Sequence, residues 1–362
     1  MKQIYFTVTN DLTYDQRMQR ICTSLSNGGY QITLVGRKLK SSVPLQRKPY
    51  AQKRLRCFFN KGFLFYSEYN LRLFFFLLAK KMDAVCAIDL DTVLPCYFVS
   101  LLRKKKKVYD AHELFCEMKE VVSRPQVHKL WKAVEKFCVP KFAQGYTVNA
   151  NIRDILKEEY GVHYEVIKNV PLLQEKPPPA QPENFILYQG AVNEGRSFET
   201  LIPAFQWINV PFFIYGDGNF LSQAKVLIKE NKLEEKIFLK GKAEPGELKK
   251  ITPHALLGIS VFENKGKSNY YSLANRFFDY MHAGVPQLCV DYPAYREIND
   301  EYKVAVLTND LSSPSLAEKI NAVIHDEALM DELRQNCIRA REKFNWQAEE
   351  KILLQFYQHL FA

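Results

Sequence analysis

The sequence predicts an α/β protein made of two Rossmann-like domains that face each other across a cleft. Three observations carry that expectation. Strand-like and helix-like segments alternate along the chain, the alternation stops once and restarts, and the interruption is rich in proline. A length of 362 residues suits two domains, and 47% apolar residues supply two buried cores. In paired sheets of this kind ligands bind beyond the carboxyl ends of the strands, so the chemistry is expected there.

In chain order, Lys2–Val8 reads as a strand. Tyr14–Ser26 follows as a helix with Met18, Ile21, Cys22 and Leu25 on one face, stopped by Asn27, Gly28 and Gly29. Gln31–Val35, Ala84–Ile88, Lys107–Tyr109 and Gly145–Val148 are further strands, with helices such as Gln126–Phe137 and Ile152–Tyr160 between them. The stretch Gln174 to Asn184 then carries four prolines, which continue neither helix nor sheet and mark a domain boundary. After it come the strand Phe185–Tyr188, the helix Phe198–Gln206, the strand Phe212–Tyr215 and the helix Leu221–Asn231. Ile237–Leu239, Leu256–Ser260 and Gln287–Val290 are the remaining strands, and Trp346–Phe361 is a closing amphipathic helix.

Charge separates the two halves. Residues 1–180 hold 30 Lys/Arg against 16 Asp/Glu, a net of +14; the remainder holds 20 against 24, a net of −4. A polyanion or an anionic surface therefore suits the first half only. Lys53 to Lys81 adds detail, with Phe58, Phe59, Phe63, Phe65, Tyr66, Phe74, Phe75 and Phe76 among seven Lys/Arg residues. This stretch reads either as a core helix or as a segment lying on an anionic membrane surface. No nucleic-acid signature accompanies it, so nucleic acid is not an expected partner.

Eight cysteines at irregular spacing form neither a disulfide framework nor a zinc site, and fit a reducing compartment. The N-terminus reads as a strand and a polar loop, not a signal peptide. The longest apolar run, Leu73 to Ala79, is far below the ~20 residues that span a bilayer. The expected location is the cytoplasm, with attachment at the inner face of the membrane as its extension.

Three constellations carry chemistry. In FILYQGAVNEGRSFETLIPAF a strand ends at Gly190, a turn holds Gly195 and Arg196, and a helix follows. Glycine admits close backbone approach and Arg196 offers a fixed fork for phosphate oxygens. The spacing is neither a dinucleotide fingerprint nor a P-loop, so those cofactors are not implied. In YYSLANRFFDYMHAGVPQLCV, helical spacing gathers Asn275, Asp279 and His282, while Phe277, Phe278 and Met281 form the packed side. An acid one turn into a helix can accept hydrogen bonds from paired sugar hydroxyls, and Arg276 can meet phosphate. In KKVYDAHELF a strand delivers Asp110, His112 and Glu113 to its carboxyl end. No second histidine stands at ligand spacing, so no metal is expected. The loop Asn10 to Arg17 reads equally well as an acceptor-side loop and as a helix start capped by Thr13 or Asp15.

NRFFDYMHAGVP resembles the donor-binding helix of GT-B fold retaining glycosyltransferases, in particular glycosyltransferase family 4. GAVNEGRSFETLIPAF is similar to that family's strand–loop–helix at the donor diphosphate, and the order of the segments agrees. The resemblance implies a GT-B fold, with residues 1–175 on the acceptor side, 183–345 binding the donor, and helix 346–362 packing back on the first domain. It implies sugar transfer from a nucleotide-diphosphate sugar to a saccharide or lipid-linked acceptor, with retention and without a metal. No cofactor is implied beyond that co-substrate. By the same resemblance Asp279 meets the donor ribose, while Gly190, Arg196, Ser272, Leu273, Asn275 and Arg276 line the donor, helped by Lys240 or Lys242. His112 and Glu113 become catalytic candidates, and Asn10, Asp11, Asp15 and Arg17 line the acceptor side.

The sequence departs from the family in three places. Asp279 stands where Glu is usual, Tyr271 where a second acid is usual, with Glu263 as its candidate substitute, and Ala191 where many relatives have Arg. Two alternatives stay open: a GT-B sugar-nucleotide epimerase, and a non-catalytic GT-B scaffold on membrane or nucleic acid.

Overall fold

The computed structural model describes residues 1–175 and 182–362. The proline-rich boundary falls largely on residues 176–181, outside the described residues. The chain forms two compact units, Met1–Asn169 with Gln347–Ala362, and Val170–Trp346.

The first unit is a seven-stranded sheet of order β3-β2-β1-β4-β5-β6-β7, parallel throughout. The strands are β1 Gln3–Thr7, β2 Gln31–Lys38, β3 Ala51–Arg56, β4 Ala84–Ile88, β5 Lys106–Ala111, β6 Gly145–Thr147 and β7 Glu165–Val166. Crossover helices join them, among them α1 Gln16–Asn27, α2 Gly62–Leu78 and α3 Val93–Leu102. Strand β4 is buried along its whole length, which is why it reads as an unbroken apolar run rather than an alternating one. The closing helix Trp346–Phe361 lays Tyr357 against the rings of Phe6, Tyr30 and Tyr146.

The second unit is a six-stranded parallel sheet of order β10-β9-β8-β11-β12-β13. Its strands are β8 Ile186–Gln189, β9 Phe212–Tyr215, β10 Ile237–Gly241, β11 Leu257–Ser260, β12 Gln287–Val290 and β13 Ala305–Thr308. The strand read at Ile237–Leu239 runs on to Gly241. Pro245 opens a helix, Pro245–Ile251, because its fixed φ suits a first helical turn.

Both sheets share one property that positions the sites. Strand order reverses beside the first strand of each: β1 lies between β2 and β4, and β8 between β9 and β11. The loops leaving those strands diverge to opposite faces and open a crevice at their carboxyl ends. Among the described residues, no helix is long and apolar enough to cross a membrane.

Candidate functional site

In the second unit the switch point is built on close backbone contact. Strand β8 ends at Gln189, and Gly190 after it has a φ of +134°, a conformation that side chains rarely adopt. Beside it, a Cβ on Gly216 would stand 1.8 Å from the Gly190 carbonyl oxygen, and one on Gly218 would stand 2.2 Å from that of Val192. The loop after β9 therefore seats against the loop after β8 only because both positions are glycine. The sequence reading missed this pair; the run YGDG at the end of an apolar strand was the available signal.

Arg276 opens the helix Asn275–Ala283 and does not face solvent. It is 7% exposed, its Nη1 donates to the Gln189 carbonyl at 3.2 Å, and its guanidinium lies 4.4 Å from the Tyr188 ring centre. A Cβ on Gly190 would come within 3.1 Å of that Nη1, so the cation sits directly against the turn. Among the described residues it has no carboxylate in ion-pair range, and its Nε has no hydrogen-bond partner. A buried cation satisfied by one carbonyl and one ring is costly unless an anion joins it.

Asp279 lies one turn further along the same helix. It accepts a hydrogen bond from Gln189 Nε2 at 3.1 Å, and Gln189 Oε1 in turn accepts from Thr252 at 2.7 Å. One residue of β8 thus holds the guanidinium through its backbone and the carboxylate through its side chain. Gln189 and Thr252 were not foreseen, since neither type signals a role without its neighbours.

The structure brings two more candidates to this turn. The backbone N–H of Glu263, after β11, donates to the Gly195 carbonyl at 2.9 Å, joining Glu263 to the loop that carries Arg196. The Arg196 guanidinium lies 5.4 Å from the ring centre of Phe262, the residue before Glu263. Asn269 ties the Glu263 carbonyl to the Ser272 turn, with the Ser272 hydroxyl donating to Asn269 O at 2.8 Å. Tyr271, at the position where the family has an acid, lies edge-on to Tyr270.

Other candidates are placed differently from expectation. Leu273 is half-buried and packs against the core. Lys240 lies on the edge strand β10, separated from β8 by β9, with its ammonium over the rings of Phe213 and Phe238. Lys242 is exposed just beyond the same strand, and Asn275 is exposed at the helix start. His282 Nε2 meets the Phe344 carbonyl at 2.7 Å.

In the first unit the carboxyl ends of β4 and β5 hold a buried charge cluster. Asp110 is fully buried and pairs with Arg17 at 2.9 Å, while Arg17 Nη1 donates to Ile167 O at 2.8 Å. Arg17 is a correction: at 3% exposure its cation is spent inside the fold and lines no acceptor surface. Asp15 caps α1 by accepting from Met18 N, and also accepts from Asn10 Nδ2 at 2.7 Å. Asn10 and Asp11 accept from the backbone of Leu12 and Thr13. In this loop the capping alternative holds.

His112 is the centre of the cluster. Its Nε2 meets Asp110 Oδ2 at 2.9 Å, its Nδ1 stands 3.7 Å from Asp89 Oδ2, and its backbone N–H donates to Asp89 Oδ1 at 2.8 Å. Both ring nitrogens of this catalytic candidate therefore face carboxyl groups. Asp89 takes this place with a left-handed φ of +51°, a strained conformation for a residue other than glycine. Glu113 follows His112 at the cluster's edge and disfavours the charge on Asp89.

Burial alone would lower the His112 pKa, but the carboxylates of Asp110 and Asp89 outweigh it and push it up to about 9. Burial likewise raises Asp91, on the turn after β4, to about 6. For His112 the folded value lies above the ordinary value of 6.5, so its stabilising contribution is complete below that pH and is lost as pH rises through about 9. Unfolding followed across that window is expected to show falling stability, and His112→Asn is expected to flatten the fall. A pH dependence that is the same in both proteins would show that His112 is not its source.

Comparison with known proteins follows the same division. Residues 169–344 match the family described as glycosyl transferases group 1. Sucrose-phosphate synthase of Thermosynechococcus elongatus aligns over 100% of both chains with a TM-score of 0.83 at 16% identity. Anabaena HepE in complex with UDP-glucose aligns over 99% of this chain and 100% of its own, at TM-score 0.76 and 12% identity. WaaG, a glycosyltransferase involved in lipopolysaccharide biosynthesis, aligns over 97% and 98%, at 0.68 and 13%. At these identities the likeness shows the fold, which is GT-B. No curated protein sequence matches the chain.

Proposed function

We propose that this chain, with a GT-B fold and a glycosyl transferases group 1 match across its second unit, is a glycosyltransferase that moves a sugar from a nucleotide-diphosphate sugar bound at the Gly190 turn. The observation that carries this reading is Arg276, a buried guanidinium with no carboxylate partner among the described residues, held against a glycine turn beside Asp279. A diphosphate supplies the missing anion. Its negative charge grows as the sugar departs, so a fixed cation stabilises the transition state more than the ground state.

Arg276 also accounts for one departure from the family pattern. The loop after Gly190 has Ala191 where many relatives carry Arg, and the guanidinium arrives at the same turn from the neighbouring helix. Arg196 serves as the second cation, and Asp279 takes the ribose hydroxyls while Gln189 fixes its direction. Glu263, joined to the Arg196 loop, stands in for the acid absent at Tyr271 and meets the transferred sugar. His112, tied to Asp110 through its ring and to Asp89 through its backbone, acts as a positioning residue in the first unit.

Retention at the anomeric carbon and independence of metal complete the proposal, in line with the resemblance to family 4. The acceptor is a saccharide or lipid-linked intermediate of surface-polysaccharide or glycolipid synthesis. That setting agrees with WaaG, a glycosyltransferase involved in lipopolysaccharide biosynthesis. The eight free cysteines support a reducing, cytoplasmic location.

The test is incubation with a panel of nucleotide-diphosphate sugars, following release of nucleoside diphosphate with and without saccharide acceptors. Acceptor-dependent release from one donor is expected. Conversion of the donor to its epimer without acceptor would replace transfer by epimerisation, and no turnover of any donor would leave the scaffold. With the active donor, excess chelator is expected to leave the rate within about twofold, because cationic side chains carry the diphosphate charge; loss of activity restored by Mg²⁺ or Mn²⁺ would contradict metal independence.

A further inference from the structure

Helix α2 is apolar on two opposite faces. Phe65, Tyr69, Leu73 and Leu77 are buried in the first unit. Leu64, Leu71, Phe75 and Leu78 form a second row that is exposed in the complete chain, Leu71 at 58% and Phe75 at 59%. Positions seven, eleven and fourteen residues after Leu64 fall on one side of a helix, so this row is a continuous stripe. A helix apolar all round is ordinarily covered on all sides. This one has only one face covered by protein.

The stripe is extended by its neighbours. Helix α3 packs beside α2 and exposes Phe98, Leu101 and Leu102. Arg103 donates to the carbonyls of Leu78 and Lys80, which fastens the end of α3 to the end of α2. At the other end, Glu68 accepts the backbone N–H groups of Phe58 and Phe59, and the Arg72 guanidinium lies 5.2 Å from the Phe58 ring centre. Phe58 is therefore held in place while 83% exposed.

Charge identifies the occupant. Lys80, Lys81 and Lys104 are exposed around the joined ends of α2 and α3. The first unit has 30 Lys/Arg against 17 Asp/Glu and the second 20 against 23, nets of +13 and −3 that make up the chain's +10. We propose that this face of α2 and α3 docks on an anionic phospholipid surface, with the apolar stripe at the acyl boundary and the lysines among the head groups. Interfacial helices combine these two features. A second copy of the chain fits less well, because a symmetric contact sets the same lysines against each other. Nucleic acid fits less well because the stripe is largely aliphatic and offers few stacking platforms.

The inference is independent of the donor site, and its test needs no nucleotide. The full chain is sedimented at low salt with vesicles of phosphatidylcholine alone and of phosphatidylcholine mixed with phosphatidylglycerol. Retention by the mixed vesicles only, released by high salt, is expected. Joint replacement Lys80→Glu, Lys81→Glu and Lys104→Glu should lower partitioning by about fivefold or more per lysine, following the ~1 kcal/mol each contributes near such a surface. Joint replacement Leu71→Ser and Phe75→Ser should lower it by about tenfold or more through lost apolar burial. These side chains are exposed, so both variants should melt with the parent protein, which separates lost docking from lost folding. The proposal is overturned if the parent protein stays in the supernatant, binds both vesicles alike, or binds as well with either set replaced. It is equally overturned if the Leu71 and Phe75 replacements convert a dimer to a monomer, since the stripe then serves a second copy.

Discussion

Replacing Arg276 with Met is expected to weaken nucleoside-diphosphate binding by about a hundredfold, the scale of one or two charge-assisted hydrogen bonds lost from a buried site. Met fills much of the same space against Tyr188, and the change also removes a cation that has no carboxylate partner among the described residues. Stability is therefore expected to move by only about 1–2 kcal/mol, the Gln189 bond being the main loss. Lys at this position should restore part of the affinity, because its ammonium carries the charge without the planar fork. Calorimetric titration beside a melting curve separates the two effects. Equal affinity in parent and Arg276→Met would show that the guanidinium only supports the turn.

The second large effect is on stability. Asp110→Ala is expected to destabilise the first unit by about 3–5 kcal/mol, because it leaves the buried Arg17 cation without its carboxylate. It also removes the acceptor of His112 Nε2, so the His112 pKa should fall back toward its ordinary value. Joint replacement Arg17→Met and Asp110→Leu should recover most of the loss, since a buried pair exchanged for packed apolar groups is often near neutral. Calorimetric melting of the three proteins decides. If Asp110→Ala melts with the parent, the pair is not what holds the ends of α1 and β5 together.

How far the sequence could be read follows from which interactions are local. Strands β4, β8, β11 and β12 are buried throughout and appear as short apolar runs. The edge strand β3 is AQKRLR, polar in composition, and pairing with β2 rather than apolar content makes it a strand. Two arginines near helix starts looked alike as surface cations. Arg17 finds a carboxylate 93 residues away and Arg276 a carbonyl 87 residues away, and neither partner is visible in the local sequence. For Arg17 a signal existed, because it lies one helical turn before Ile21 on the buried side of α1. The Lys53–Lys81 stretch offered two readings as alternatives; in α2 one apolar face is buried and the opposite one is exposed.

The candidate site was legible as a pair of segments but not as an arrangement. Gly190, Arg196 and Asp279 could be named from their motifs, whereas Gln189, which joins Arg276 to Asp279, and Gly216, which lets two loops touch, act only through neighbours in space. Likewise His112 was visible as a polar residue after a strand, while Asp89, which accepts its backbone N–H and stands 3.7 Å from its Nδ1, lies on a different strand end.

The central claim is that the Gly190 turn, Arg276 and Asp279 form a nucleoside-diphosphate site, and calorimetric titration of the parent protein and Asp279→Ala with a panel of nucleoside diphosphates and nucleosides tests it most directly. The account predicts binding of one molecule per chain for at least one diphosphate. It predicts much weaker binding of the matching nucleoside, and a loss of about tenfold or more in Asp279→Ala from the missing carboxylate–hydroxyl bonds, with melting close to that of the parent. Heat from no diphosphate, or the same affinity in Asp279→Ala, would contradict it.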